Sequence, residues 1–380
     1  MTRPLANHRS LPAFKLERYF ARYEFTVPHQ LASSDAESFS IGELLALDPQ
    51  ARAGFEALGL GYTEAAGHPQ LRETLASLYQ TCGAQNLLVH AGAQEAIFTW
   101  ALAALAPGDH VIVQFPCYQS LAEMARWRGC DVTLWAMRER QGVWELDMEE
   151  LEAALGERTR AIIINTPHNP TGYCFTPEEM ERLVALARSH DLFLLADEVY
   201  RYSEYEEWIR LPWVCDLYER ALSIGVMSKS FGLAGLRLGW AASQDASLLD
   251  AMARIKDYTS ICTSAPSEFL AQLALCHRDR LLERNLSLIQ RNLDLADEFF
   301  AEFAQLFVWR RPKAGTIAFP RLCQEGADDY CRRLIQEAGV LLLPASLYDF
   351  GDHHVRIGFG RQDFPRGLQR WRDYCREQLS

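Results

Sequence analysis

The sequence predicts an α/β fold: a mostly parallel central sheet flanked by helices, with a smaller α+β region after it. Three observations carry this. Seven short runs are apolar or small nearly throughout, as strands covered on both faces must be. Amphipathic helical patterns lie between several of them, the alternation expected of helical crossovers between parallel strands. After about residue 245 the pattern changes to longer helical segments and a few short strands. A chain of 380 residues is long enough for two such units.

Taken in order, residues 1–45 read as an irregular arm with one short helix, expected to complete the smaller unit. Residues 46–260 read as the large domain. Its strand-like runs are LLVH, HVIVQFP, DVTLWAM, RAIIINTP, LFLLADEVY, ALSIGVMS and LRLGWAAS. QEAIFTWALAAL and PEEMERLVALARSH are helical patterns between them. LLDAMARIKDY, SEFLAQLALCH and a long segment near 278–306 read as helices, and GTIAFPRL and HHVRIGFGR as short strands. Residues 261–380 are assigned to the small C-terminal domain.

Composition narrows the function. Apolar residues make up 49% and charged residues 23%, so a large buried core is expected. The net charge of −12 argues against a nucleic-acid binder. The first twenty residues lack a signal-peptide pattern, and no run approaches the roughly 20 apolar residues that span a membrane. Ten cysteines are scattered without a CxxC pair, so no metal site is expected. Reduced, buried thiols in a cytoplasmic protein are the expectation.

Ligands of open parallel sheets sit outside the carboxyl ends of the strands. Asp197 ends LFLLADEVY, where an unpaired carboxylate is costly. A lone aspartate there reads as a cap or ion pair, but Tyr200 shares its edge. In TPHNPTGYCF, Pro167 and Pro170 stop any helix and hold Asn169 on a rigid loop with a free side-chain amide, or form a plain turn. Gly92, Ala93 and Gln94 lie between a strand and a helix, where N–H groups suit a phosphate or simply make a βα turn. Tyr118 in FPCYQS stacks on a flat ring or belongs to the core. Lys229 in GVMSKSFGLAGLRLGW has small or apolar flanks. Lost solvation there lowers an amine's pKa and makes it a nucleophile towards an aldehyde. Arg237 has the fixed fork that suits a phosphate dianion. Together these sites describe pyridoxal 5′-phosphate, whose signature is a Schiff-base lysine and an acidic partner for the ring nitrogen.

The ordered set GAQ, FPCY, NPTG, ADEVY, SKSFGLAGLRLGW and HVRIGFGR resembles the class I/II aminotransferases of fold type I. The resemblance implies catalytic roles for Lys229, Asp197 and Tyr200. It implies that Asp197 meets the pyridinium nitrogen and that Asn169 and Tyr200 meet the ring oxygen. Gly92, Ala93, Gln94, Ser228 and Arg237 would surround the phosphate, and Tyr118 would stack on the ring. Arg356 would clamp the substrate carboxylate beside Asn169. Tyr62, in LGYTEAAGHPQLRE, would reach the phosphate of a neighbouring subunit, so a homodimer with shared active sites is implied. The implied reaction moves an amino group between an L-amino acid and a 2-oxo acid.

Two departures stand out. Many relatives carry serine or threonine where Val226 lies, so the phosphate would lose one donor. The arm, YEFTVPHQLASSDAESFS, is more similar to capreomycidine synthase, a cyclising relative acting on an arginine derivative. Elimination or cyclisation on the same cofactor is therefore an alternative, and a non-catalytic sensor a remoter one. Asp35 and Glu37 either meet a cationic substrate group or lie on a solvated loop.

Overall fold

The computed structural model describes residues 11–140 and 142–379. The arm contains helix α1 (Lys15–Tyr23), strand β1 (His29–Gln30) and helix α2 (Ile41–Leu45). One helix is expected here and two are found. Ser40 explains the second. Its Oγ accepts from Glu43 N at 3.1 Å, while the Glu43 carboxylate accepts from Ser40 N at 2.7 Å. This reciprocal cap satisfies two N–H groups that a helix start leaves open.

The large sheet is built from β2 (Leu87–His90), β3 (His110–Phe115), β4 (Asp131–Ala136), β5 (Thr159–Asn165), β6 (Phe193–Asp197), β7 (Ala221–Val226) and β8 (Gly239–Ala242). Their spatial order is β2-β8-β7-β6-β5-β3-β4. Only β8 runs antiparallel, against β2 and β7. It begins two residues after Arg237, whose φ of 48° breaks the extended run. Helices α3 (Ala93–Ala104), α4 (Gln119–Arg128) and α5 (Pro177–Ser189) cover the sheet.

The strand composition follows from this burial. Val111, Val113, Ile163 and Leu195 pack with Trp100 of α3 and Leu121 of α4. Their neighbours Ile112, Ile162, Ile164 and Leu194 pack with Leu183 of α5. Alternate residues of a strand face opposite sides, so both faces are dry and the runs are apolar.

Beyond the sheet come α6 (Ala246–Lys256), α7 (Ala265–Cys276) and the 25-residue α8 (Arg278–Glu302). Short strands β9 (Ile317–Ala318), β10 (Val340–Leu341), β11 (Leu343–Pro344) and β12 (Val355–Gly358) follow, then α9 (Phe364–Leu379). Residues of α6 and α7 pack into the cores of the large sheet. A separate core joins Phe299, Phe300 and Phe303 of α8 and its end to Ile357 of β12, Trp371 of α9 and Leu31 of the arm. The arm is stitched to this part: β1 pairs in parallel with β10, and Gly358 N donates to Leu31 O at 2.8 Å.

No helix among the described residues is long and apolar enough to cross a membrane. The ten cysteines are unbridged, although Cys82 and Cys215 bring their sulfurs to 3.8 Å.

Candidate active site

A cavity of about 380 Å3 lies at the carboxyl ends of the strands, closed on the opposite side by the arm and by Arg356 of β12. The sheet side brings together Ala93, Gln94, Tyr118, Asn169, Asp197, Tyr200, Ser228, Lys229 and Arg237. The arm contributes Glu17 of α1, Glu24 just after its end, then Ser33, Ser34 and Asp35.

Lys229 follows β7, and its Nζ donates to Ser34 Oγ at 2.8 Å. Burial lowers its pKa to about 8; Asp35 and Asp197 oppose that shift, and Arg356 adds to it. The amine lies 5.6 Å from the centre of the Tyr200 ring. Asp197, 5% exposed, has its carboxyl pushed up to about 7 by burial, against the pull of the Val199 N–H and Lys229. The Val199 contact is long, 3.4 Å. The Asp197 backbone is fixed by Asn165, whose Nδ2 donates to Asp197 O at 2.7 Å. Burial likewise raises the Tyr200 phenol to about 12, with Arg356 and a hydrogen bond to Ser34 opposing.

Asn165 also sets the next loop: its Oδ1 accepts from Asn169 N at 2.6 Å. The sequence reading expected a free Asn169 side-chain amide, but in the structure its oxygen is engaged. Its Oδ1 accepts from Tyr348 Oη at 3.2 Å and from Arg356 Nη1 at 3.4 Å. Arg356 is 1% exposed and donates through Nη1 to Tyr348 Oη (2.5 Å) and through Nη2 to Ala32 O (2.7 Å). Its buried Nε has no hydrogen-bond partner among the described residues.

Gly92 precedes α3 with φ of 85°, and no side chain caps the helix. A Cβ on Gly92 would sit 2.8 Å from Arg237 Nη2, and one on Gly239 would sit 2.8 Å from Ala93 N. These two glycines therefore bring the start of α3, β8 and Arg237 together. Arg237 Nη1 donates to Ala234 O at 3.0 Å and lies 3.5 Å from Ser228 Oγ. Val226 lines the cavity in place of a hydroxyl.

Tyr118 belongs to the cavity wall, but its Oη donates to Glu17 at 2.9 Å and its ring meets Phe14 at 4.9 Å. Tyr62 lies outside the cavity and is 92% exposed. Asp35 lines the cavity yet already accepts from Arg361 Nη2 at 2.9 Å. Glu37 lies away from it, its carboxylate accepting from Gln362 N at 2.9 Å. Sequence reasoning missed Glu17, Glu24, Ser34 and Tyr348. The seven-position spacing of Glu17 and Glu24, one in the helix and one at its C-cap, was a usable signal.

The chain matches the family model of aminotransferase class I and II over residues 50–363. It belongs to the class I and II aminotransferase family. Capreomycidine synthase from Streptomyces vinaceus is 32% identical over 375 residues, covering 97% of this chain and 95% of that protein. A PLP-dependent aminotransferase from Streptococcus suis 89-1591 superposes with a TM-score of 0.91 at 30% identity, covering 97% of this chain and 98% of that one. The PLP-dependent cyclase OrfR, solved in complex with Au, superposes with a TM-score of 0.89 at 29% identity over 99% and 100% of the two chains.

The cofactor of this family is pyridoxal 5′-phosphate. The residues fit it. Asp197 offers a buried carboxylate with one long hydrogen bond, suited to a protonated ring nitrogen. The uncapped start of α3 beside Arg237 suits a phosphate. Lys229 offers an amine with a lowered pKa.

Proposed function

We propose that this member of the family is a pyridoxal-phosphate-dependent aminotransferase that moves an amino group between an L-amino acid and a 2-oxo acid. The carrying observation is that Lys229, Asp197 and Arg356 line one cavity. When bound, the cofactor supplies an aldehyde that condenses with amines and an electron-withdrawing ring that accepts charge from the substrate carbon. Asp197 would pair with the ring nitrogen and hold a proton there. Asn169 and Tyr200 would orient the ring through its oxygen, and Tyr118 would flank it. Ala93, Gln94, Ser228 and Arg237 would take the phosphate, with Gly92 leaving room. Arg356 would bind the substrate carboxylate, its buried and unpartnered Nε being a donor in need of an acceptor. Lys229 would form the covalent link and, once released, take the Cα proton, a task suited to an amine with pKa near 8. We place the enzyme in the cytoplasm as a homodimer, with the exposed Tyr62 facing the partner's phosphate.

A second reading is supported by charge. Once Lys229, Arg237 and Arg356 are given these tasks, the arm presents Glu17, Glu24 and Asp35 to the rest of the substrate. Asp35 is paired with Arg361, but Glu17 and Glu24 make no ion pair among the described residues. Burial, Asp35 and Glu17 hold the Glu24 carboxyl above its usual range, so a cation beside it would be welcome. An arginine-derived substrate undergoing elimination or cyclisation fits this wall, and two relatives bear the names synthase and cyclase.

Product analysis separates the readings. Transamination gives a 2-oxo acid only when an amino acceptor is supplied; elimination or cyclisation proceeds without one. Borohydride trapping of the loaded protein should label the Lys229 peptide. Labelling of another lysine would remove both readings.

A further inference from the structure

Among the described residues, the hydrogen bond made by Lys229 Nζ goes to Ser34 Oγ, at 2.8 Å. Ser34 lies 195 positions earlier, on the arm. Its place is firmly held. Thr316 Oγ1 donates to Ser34 O at 2.7 Å, and Ala36 N donates to the carbonyl of Lys229 itself at 3.4 Å. The neighbours are tied as well: Arg356 bonds Ala32 O, and Arg361 bonds the Asp35 carboxylate.

In this contact the amine is the donor and the Ser34 hydroxyl oxygen the acceptor. A hydroxyl has one proton and two lone pairs. Ser34 Oγ uses a lone pair to accept from Lys229 Nζ at 2.8 Å, which leaves its own proton free to point elsewhere. That direction matters for a base. A neutral amine has one lone pair, and a donor at this position would consume it. An acceptor takes an N–H instead and leaves the lone pair free.

We propose that Ser34 is a positioning residue for Lys229, holding one N–H of the released amine so that its lone pair faces the substrate carbon. This rests on the reading of Lys229 as the base. Ser34 also affects which protonation state is favoured, because an ammonium donates more strongly than a neutral amine. Other charges face the same nitrogen: Asp35 from the arm, Glu17 from α1 and Glu24 from its C-cap, Asp197 from β6 and Arg356 from β12. Ser34 is the neutral group in direct contact, so its removal leaves those charges in place.

The test uses the full-length protein. With the cofactor stripped, cyanate carbamylates neutral amines, and mass spectrometry follows the Lys229 peptide across pH. In Ser34→Ala the labelling midpoint should fall by up to roughly one pH unit, because the ammonium loses an acceptor. In the loaded enzyme, kcat should fall about 10–100-fold, as expected for a misaligned base. The donor KM should stay within about twofold, since the Arg356 clamp is intact. Ser34→Thr keeps the hydroxyl and should restore both the midpoint and kcat. An unchanged midpoint in Ser34→Ala overturns the proposal. So does an unchanged kcat, or a threonine variant that behaves like alanine. Failure of the underlying reading shows separately, as borohydride label on a peptide other than that of Lys229 in the unsubstituted enzyme.

Discussion

The two walls of the cavity are made differently. The sheet wall places Asp197, Asn169 and Lys229 at or just beyond the ends of adjacent parallel strands, with their backbones held in a buried ladder. The arm wall has no such frame. Its Glu17, Glu24, Ser34 and Asp35 come from one short helix and an extended segment. That segment is held by hydrogen bonds to β10, β12 and Thr316. The sheet wall carries groups suited to a cofactor that many reactions share. The arm wall lines the same cavity with acids, which on the proposed reading would face whatever differs between substrates. That reading would put shared chemistry on the rigid element and selectivity on the arm, in keeping with how function is grafted on folds.

Substitutions in the two walls should therefore fail in different ways. The largest effect is expected on the sheet wall. Lys229→Ala should abolish the absorbance of the covalently held cofactor and cut turnover by about 10²–10⁴-fold, the usual contribution of a positioned base. Retention of that absorbance would break the assignment. Asp197→Ala should lower the rate of Cα deuterium loss from a labelled donor by roughly 10²-fold while weakening cofactor binding much less. Equal losses in rate and affinity would mean that Asp197 anchors the cofactor without tuning it.

The arm should show a smaller, selective effect. Glu24→Gln and Glu17→Gln should each reduce binding of L-arginine by about tenfold, the worth of a hydrogen bond to a charged group. Binding of citrulline, which has the same shape without the charge, should barely change. Spectral titration of the loaded enzyme measures both. Equal losses for the two ligands would show that the acids shape the wall without reading charge.

The smallest effect is one of stability. The folded pKa of Lys229, about 8, lies below its ordinary 10.5. Between those values the unfolded chain binds more protons than the folded one, so this group makes stability rise with pH; below pH 8 its burial cost is fully present. Lys229→Met should therefore raise the melting temperature of the cofactor-free protein near neutrality by on the order of 2 °C. The gain should shrink as pH rises through that window. A gain independent of pH would show that packing, not charge, causes it.

Most of the sheet wall was readable in advance because each residue there follows a strand that announces itself. A run such as RAIIIN has its apolar character imposed by two buried faces, and the residues just past it must lie at the sheet edge. The arm offered no such rule. Asp35 and Glu37 were both candidates for meeting a cation, and only Asp35 reaches the cavity, already paired with Arg361. Glu37 caps the backbone at Gln362 instead. Tyr118 carries an aromatic ring at the expected site, but its hydroxyl bond to Glu17 links two segments 101 positions apart. Tyr348 bridges Arg356 and Asn169 from a stretch with no pattern of its own.

By itself the sequence determined the α/β layering, the strand-end placement of Lys229, Asp197 and Asn169, and a donor set that calls for pyridoxal phosphate. These follow from local periodicity and residue chemistry, which a linear chain displays directly. Only the tertiary structure decided that Ser34 meets Lys229, that Glu17 and Glu24 line the cavity, and that Arg356 keeps one buried donor open. Such contacts join segments hundreds of residues apart. Their geometry depends on how the arm docks, and no short stretch of sequence encodes that docking.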